Sequence, residues 1–337
     1  MRLALILGLL LSTSVAYANC SYGPTDFLVF SLSNINGYNS DYQGLTGAAG
    51  SIDLSSFKIV GSADASCSSV LAGRNFGLVN GQVTQGGLEA GNNVSISHAF
   101  VEGSVFYGGT AGIDQATVND SEQQVTANVQ SLATVSQSFL AASERIANVP
   151  LSSSKPLVSG AFMTFNGPNE IQAFDVNTSD LSRANILVFQ GAPGALFVVN
   201  VHGEHAALDH QDLQLRNGIS TGQILFNFVD ATQLTLAHSG SQAFGLAMTI
   251  LAPKAQTVFT SCRITGALYV GNLDGDGQVN PAPFPWGRIP LPNGGGGGCN
   301  CGCPHPHGCS EPSVPGVDAP NASVQASSLD PVFDLSL

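Results

Sequence analysis

The chain has 337 residues; 43% are hydrophobic and only 10% are charged, where globular proteins carry about a quarter. Lys and Arg total 10 against 23 Asp and Glu, a net charge of −13. That balance excludes nucleic acid and anionic membrane surfaces as partners, because the field of the chain repels them.

Residues 1–18 read as a secretory signal peptide. Arg2 supplies the positive start, Leu3 to Leu11 the apolar run, and Ala16-Tyr-Ala18 a small-x-small cleavage site. The run is too short to span a bilayer, and no later segment is long enough, so a secreted chain without a transmembrane span is expected. The seven cysteines then predict disulfides, with one thiol left over or bonded to another chain. Cys67 and Cys262 lie well inside the body and form the candidate pair.

Residues 19–118 read as all-β. Phe27-Leu-Val-Phe30 is a buried strand, and Ser51 to Val60 places apolar groups at Ile52, Leu54, Phe57 and Ile59. Asn75 to Thr84 and Asn93 to Val101 continue the pattern, with Asn-Gly and Gly-Gly pairs as turns. Three segments share glycine brackets: Gly44–Gly50, Gly103-Ser-Val-Phe-Tyr-Gly108 and Gly266-Ala-Leu-Tyr-Val-Gly271. Such repetition is the mark of stacked rungs, each too small to bury its own apolar face. The first and last complete copies are expected to be matching rungs on either side of a helical insertion.

The period then changes. Ser121-Glu-Gln-Gln124 has the form of a capping box, and Val125, Val129, Leu132, Phe139, Leu140 and Ile146 follow at helical spacing. This predicts a single helix of about seven turns, ended near Pro150. Strands resume after it, including Ala161–Phe165, Ala184–Phe189, Ala195–Val201, Gln223–Phe228, Gln233–Leu236, Ala247–Leu251 and Gln256–Phe259. Residues 287–337, with five consecutive glycines from Gly294, read as a flexible tail outside the folded domain of residues 19–286.

The order of elements resembles the choice-of-anchor A family of secreted and surface proteins. The likeness rests on Phe27–Phe30, on Asn39–Ile59 with its Ser-Asp and Ala-rich turn, and on Leu225–Thr232 and Ile250–Ala255. It closes on Gly266–Asn280 with Pro283-Phe284. The resemblance implies a mainly β fold: a right-handed β-helix, or β-solenoid, with one long α-helix packed alongside. It implies an adhesive function and supplies no catalytic set.

The residues that could carry chemistry are few. Cys299, Cys301, Cys303 and Cys309 sit with two histidines in eleven tail residues. Disulfides or intermolecular crosslinks are the expected outcome outside the cell, with zinc or copper binding as the alternative. Asn272-Leu-Asp-Gly-Asp-Gly-Gln-Val-Asn280 begins like a calcium loop, but its twelfth position is Pro283 rather than Glu, so a polar turn is expected. His202-Gly-Glu-His205, with Asp209 and His210, lacks the spacing of a helical zinc site and reads as a polar rim. No catalytic, cofactor or metal residues are assigned. The leading function is a secreted, non-catalytic adhesin whose partner is an extracellular glycan, matrix protein or surface. The alternatives are a β-helix enzyme acting on polysaccharide, which needs two convergent carboxylates in a cleft, and an ice or surface-lattice binder, which needs regular Thr rows on a flat face.

Overall fold

Short strands joined by tight corners build a three-sided parallel coil. The structure is a computed structural model that describes residues 20, 22–61, 67–124, 129, 131–149, 153–237 and 244–289. Rung 1 runs Val29–Ser31, Ile35–Tyr38 and Asp41–Tyr42; rung 2 runs Thr46–Ala48, Ile52–Ser55 and Lys58–Val60. Rung 3 runs Ser68–Ala72, Phe76–Val79 and Gln82–Thr84; rung 4 runs Gly87–Ala90, Val94–Ser97 and Phe100–Val101. Rung 5 runs Val105–Tyr107, Ala111–Asp114 and Thr117–Val118. Corresponding strands pair in parallel from rung to rung, so the first strands form one face, the second strands another and the third strands the last.

The alternation of each strand sets what lies inside. Val29, Val70, Leu88 and Val105 share an inward register on the first face, and Ile35, Ile52, Phe76 and Val94 on the second. All are fully buried. Each contributes about 1.5–3 kcal/mol through burial that its own rung cannot supply, which couples neighbouring rungs.

The corners explain the glycine brackets. A Cβ on Gly73 would lie 2.2 Å from the Ala49 carbonyl oxygen, on Gly91 2.3 Å from that of Gly73, and on Gly108 2.3 Å from that of Gly91. Only glycine lets the chain turn this close to the rung below. The next corner is left-handed at every rung, at Asn39, Ser56, Asn80, His98 and Gln115. The amides of Asn39, Ser56, Asn80 and His98 each donate to a carbonyl of the following rung.

The end of the body stacks on its beginning. Leu268–Gly275 pairs in parallel with both Val29–Ser31 and Ile35–Tyr38, and Val279 of Gln278–Pro281 pairs with Tyr42. In space the first face therefore reads Ser153–Ser154, Ile171–Asn177, Leu196–His202, Ile224–Phe228, Thr249–Ala252, Leu268–Val270, and then rungs 1 to 5 and Glu122–Gln124. The chain starts mid-ladder, climbs to one end, returns, and climbs from the other end back to its start. The two glycine-bracketed hexapeptides thus share one face, separated by the first strands of rungs 1 to 4.

Helix α1, Ser131–Ala147, lies along this return path. Its 17 residues rise about 25 Å, half of a ladder about 50 Å long. Leu132, Val135, Phe139 and Ile146 form its buried stripe. Phe139 stacks on Tyr269 at 4.3 Å between ring centres and lies 5.3 Å from Phe30. Further along, Ser143 Oγ donates to Asn227 Oδ1 at 2.6 Å, and Asn227 Nδ2 donates to the Ser143 carbonyl and to Asn200 Oδ1.

Four expectations are corrected. The helix is shorter than seven turns and begins at Ser131, because Ser121–Gln124 joins the sheet instead: Glu122–Gln124 pairs with Val105–Tyr107, and the Ser121 carbonyl accepts the Val105 amide at 2.7 Å. The exposed edge of rung 5 gains ladder bonds that a helix start could not give it. The helix is also not alone, since a four-residue helix α2 spans Thr178–Leu181. The segments Ala247–Leu251 and Gln256–Phe259 belong to one strand, Thr249–Thr260, which passes Pro253 at a register shift.

The fourth correction concerns Cys67, which bonds to Cys20, with Cα atoms 5.9 Å apart. Cys262 is buried and free on the third face. The third-face strand Cys262–Gly266 lies four ladder steps from that of rung 3, roughly 19 Å, far beyond disulfide reach of Cys67. Burial pushes the Cys262 thiol up to about 12.

Candidate ligand-binding face

The three faces differ in what they leave exposed. Along the first, α1 covers Phe30, Tyr269 and Asn227. The third carries Lys58 and Arg263 and an internal bond from Gln278 to Asp41. No described helix packs on the second face, and none of its strands holds Lys or Arg.

Alternation on the second face projects two outward rows. The first is Asn36, Asp53, Gly77, Ser95 and Gly112; the second is Tyr38, Ser55, Val79, Ser97 and Asp114. Neighbours in a row are about 4.8 Å apart, and the rows stand about 6.7 Å apart along the strands. Gly77 interrupts the first row. A Cβ there would sit 2.5 Å from Asp53 Oδ1, and its absence opens a shallow depression of about 410 Å³ over rungs 1 to 4. Tyr38, Ser55 and Val79 flank it on one side, Asn36, Asp53 and Ser95 line it along the first row, and Gly37 and Leu54 lie between the rows.

The polar groups around this depression are available. Among the described residues, no hydrogen bond involves the side chains of Asn36, Tyr38, Asp53, Ser55 or Ser95. The adjacent corner is the opposite case. There Asn34 Oδ1 accepts the Ser51 amide, Asn92 Nδ2 donates to Asn75 Oδ1, and Asn93 Oδ1 accepts both the Thr110 amide and its hydroxyl. Those side chains hold rung to rung, whereas the face row leaves its donors and acceptors pointing at solvent.

Two carboxylates adjoin Asn36 in register, Asp53 on one side and Asp274 on the other. They project side by side from one open sheet, not toward each other across a scissile bond. The outward row continues beyond Asp274 through Val258, Thr235 and Ala207, so threonines do not recur from strand to strand.

The other sequence-selected residues are dispersed. His202 lies between Asp175 and Asp230, at 3.4 and 3.3 Å, all three partly exposed. His205 Nδ1 is 3.0 Å from Gln233 Oε1, and His210 contacts its neighbour Asp209. In the calcium-like stretch, Asn272 Oδ1 accepts the Asn34 amide and Asp276 Oδ1 accepts the Ser261 amide, so both serve corners. No group of three His, Cys, Asp or Glu able to hold a metal occurs among the described residues. Cys299, Cys301, Cys303 and Cys309 and residues 1–18 lie outside the described residues. No helix among the described residues is long and apolar enough to cross a membrane.

Sequence reading missed the face residues. Their signal lay in Ile35-Asn-Gly-Tyr, Ile52-Asp-Leu-Ser, Phe76-Gly-Leu-Val and Val94-Ser-Ile-Ser, which align once the rung period is known. A family model described as "Putative Ice-binding-like adhesive domain" matches residues 22–281. The chain belongs to that family. Every rung of this ice-binding-like adhesive domain, and the depression with it, falls inside the matched span. The chain is also similar to an ice binding protein from an Antarctic bacterium, Flavobacteriaceae, with 9% identity over 76% of this chain and 96% of that one. The TM-score is 0.27, too low to carry fold or function from one to the other. No curated protein matches the chain.

Proposed function

We propose that the protein is a secreted, surface- or matrix-associated adhesin that binds without catalysis, through its second face, to an extracellular glycan, matrix protein or surface. The observation that supports this is the row of hydrogen-bonding side chains that, among the described residues, have no partner on the second face, beside a corner where Asn34, Asn75, Asn92 and Asn93 are engaged. An adhesive site of this kind works by many modest contacts spread over rungs. In this reading the solenoid is right-handed and of the choice-of-anchor A type. The adhesive body is residues 19–286, and Cys299, Cys301, Cys303 and Cys309 in residues 287–337 crosslink neighbouring molecules. The test is an array of glycans and matrix proteins probed with the mature chain. Binding to at least one class above background is expected; binding to none would contradict the reading.

A further inference from the structure

Resting on that adhesin reading, we infer that the depression at Gly77 is a saccharide subsite for neutral, hydroxyl-rich polysaccharide, and that it discriminates against acidic glycans. Three observations converge on this chemistry. First, the lining combines the groups that match vicinal hydroxyls: the Asp53 carboxylate accepts, the Asn36 amide both donates and accepts, and the Ser95 hydroxyl does either. None of these side chains has a partner among the described residues, so a sugar ring would form bonds without breaking internal ones. Hydrogen bonds to a carboxylate are the stronger kind.

Second, the space is shaped for a flat ring rather than an inserted side chain. It is wide and open, its floor is the bare backbone of Gly77, and its flank holds the partly buried ring of Tyr38 and the half-exposed Val79. These give a polar floor beside an apolar wall, which suits a pyranose with its hydroxyl rim and its C–H face.

Third, the strands of the face carry charge of one sign, the nearest cation being Arg74 at the adjoining corner. Asp53, Asp274 and Asp114 project from the same face, its strands lack Lys and Arg, and the net charge of the chain is −13. A uronate or sulfate placed beside Asp53 would sit within the roughly 8 Å over which physiological salt leaves charges unscreened.

The experiment measures binding of the mature chain to immobilised neutral polysaccharides (mannan, dextran, xyloglucan) and acidic ones (alginate, polygalacturonate, heparin). It is run alongside Gly77→Leu, Asp53→Ala and, on the third face, Lys58→Ala. Leu at position 77 projects into the depression, and the one close contact of its Cβ is the end of the exposed Asp53 side chain, which can turn away. Melting temperatures report that each variant folds. The expected result is binding to a neutral polymer that falls at least tenfold in Gly77→Leu and Asp53→Ala and is unchanged in Lys58→Ala. Neutral binding that survives Gly77→Leu would overturn the location, and tighter binding to the acidic polymers would overturn the class. Binding to matrix proteins but to no glycan would overturn the subsite while leaving the adhesin reading in place. Binding to nothing on the array or the panel would sink both.

Discussion

Two neighbouring strips of the solenoid use similar polar residues to opposite ends. At the corner between the first and second faces, Asn34, Asn75, Asn92 and Asn93 bond to one another, to serines and to amides of adjacent rungs. One strand further round, Asn36, Asp53, Ser55 and Ser95 have no partner among the described residues. The difference is positional. A corner side chain lies within reach of the backbone amides of the next turn, whereas a mid-strand side chain faces away from a ladder already satisfied by its own backbone bonds. Polar composition alone therefore does not separate the two strips; the presence of internal partners does.

The strongest predicted effect lies at the buried thiol of Cys262. Cys262 should react with iodoacetamide at pH 8 about a thousandfold more slowly in the folded protein than after denaturation, because its thiolate is suppressed by burial; peptide mapping reads the site. The sign of the linked stability follows. The folded thiol holds its proton up to about 12, against an ordinary value of 9.0. The unfolded chain therefore loses this proton first, and stability should fall as pH rises from about 9 toward 12.

Asn227→Ala comes next. It removes the bonds that join α1 to the first face and strands the Ser143 hydroxyl. About 3 kcal/mol is expected, or a melting temperature lower by about 6 to 12 °C. Asn75→Ala and Asn93→Ala should cost about 1 kcal/mol each, since the corner is partly solvated and water replaces some of what is lost. Asn36→Ala and Ser95→Ala should change stability by less than about 0.5 kcal/mol. A cost from Ser95→Ala equal to that from Asn93→Ala would erase the distinction between the strips.

Much of the scaffold was legible because burial alternates strictly in segments such as Ile52-Asp-Leu-Ser, and because the glycine brackets mark corners where a Cβ would strike a carbonyl. The period was not legible. The left-handed corners carry Asn, Ser, Asn, His and Gln in turn, and the strand ending at Val60 stands farther in sequence from the next, starting at Ser68, than Tyr42 does from Thr46 or Thr84 from Gly87. Ser121-Glu-Gln-Gln124 misled because a capping box is a local signal, while the open edge of rung 5 is a tertiary one. The Cys20–Cys67 bond was hidden for a like reason: distance along the chain says little where one rung stacks on the next. The face row was readable as residues but not as a site, since whether Asn36 is free or Asn34 engaged depends on the register between rungs.

One paired measurement separates the face from the corner. The double variants Asn36→Ala/Asp53→Ala and Asn75→Ala/Asn93→Ala are compared for melting temperature and for binding to the polysaccharide that the unaltered chain holds best. The face variant should melt within about 2 °C of the parent and lose binding at least thirtyfold, while the corner variant should melt about 4 to 8 °C lower and keep its binding. Loss of binding in the corner variant with none in the face variant would contradict the account.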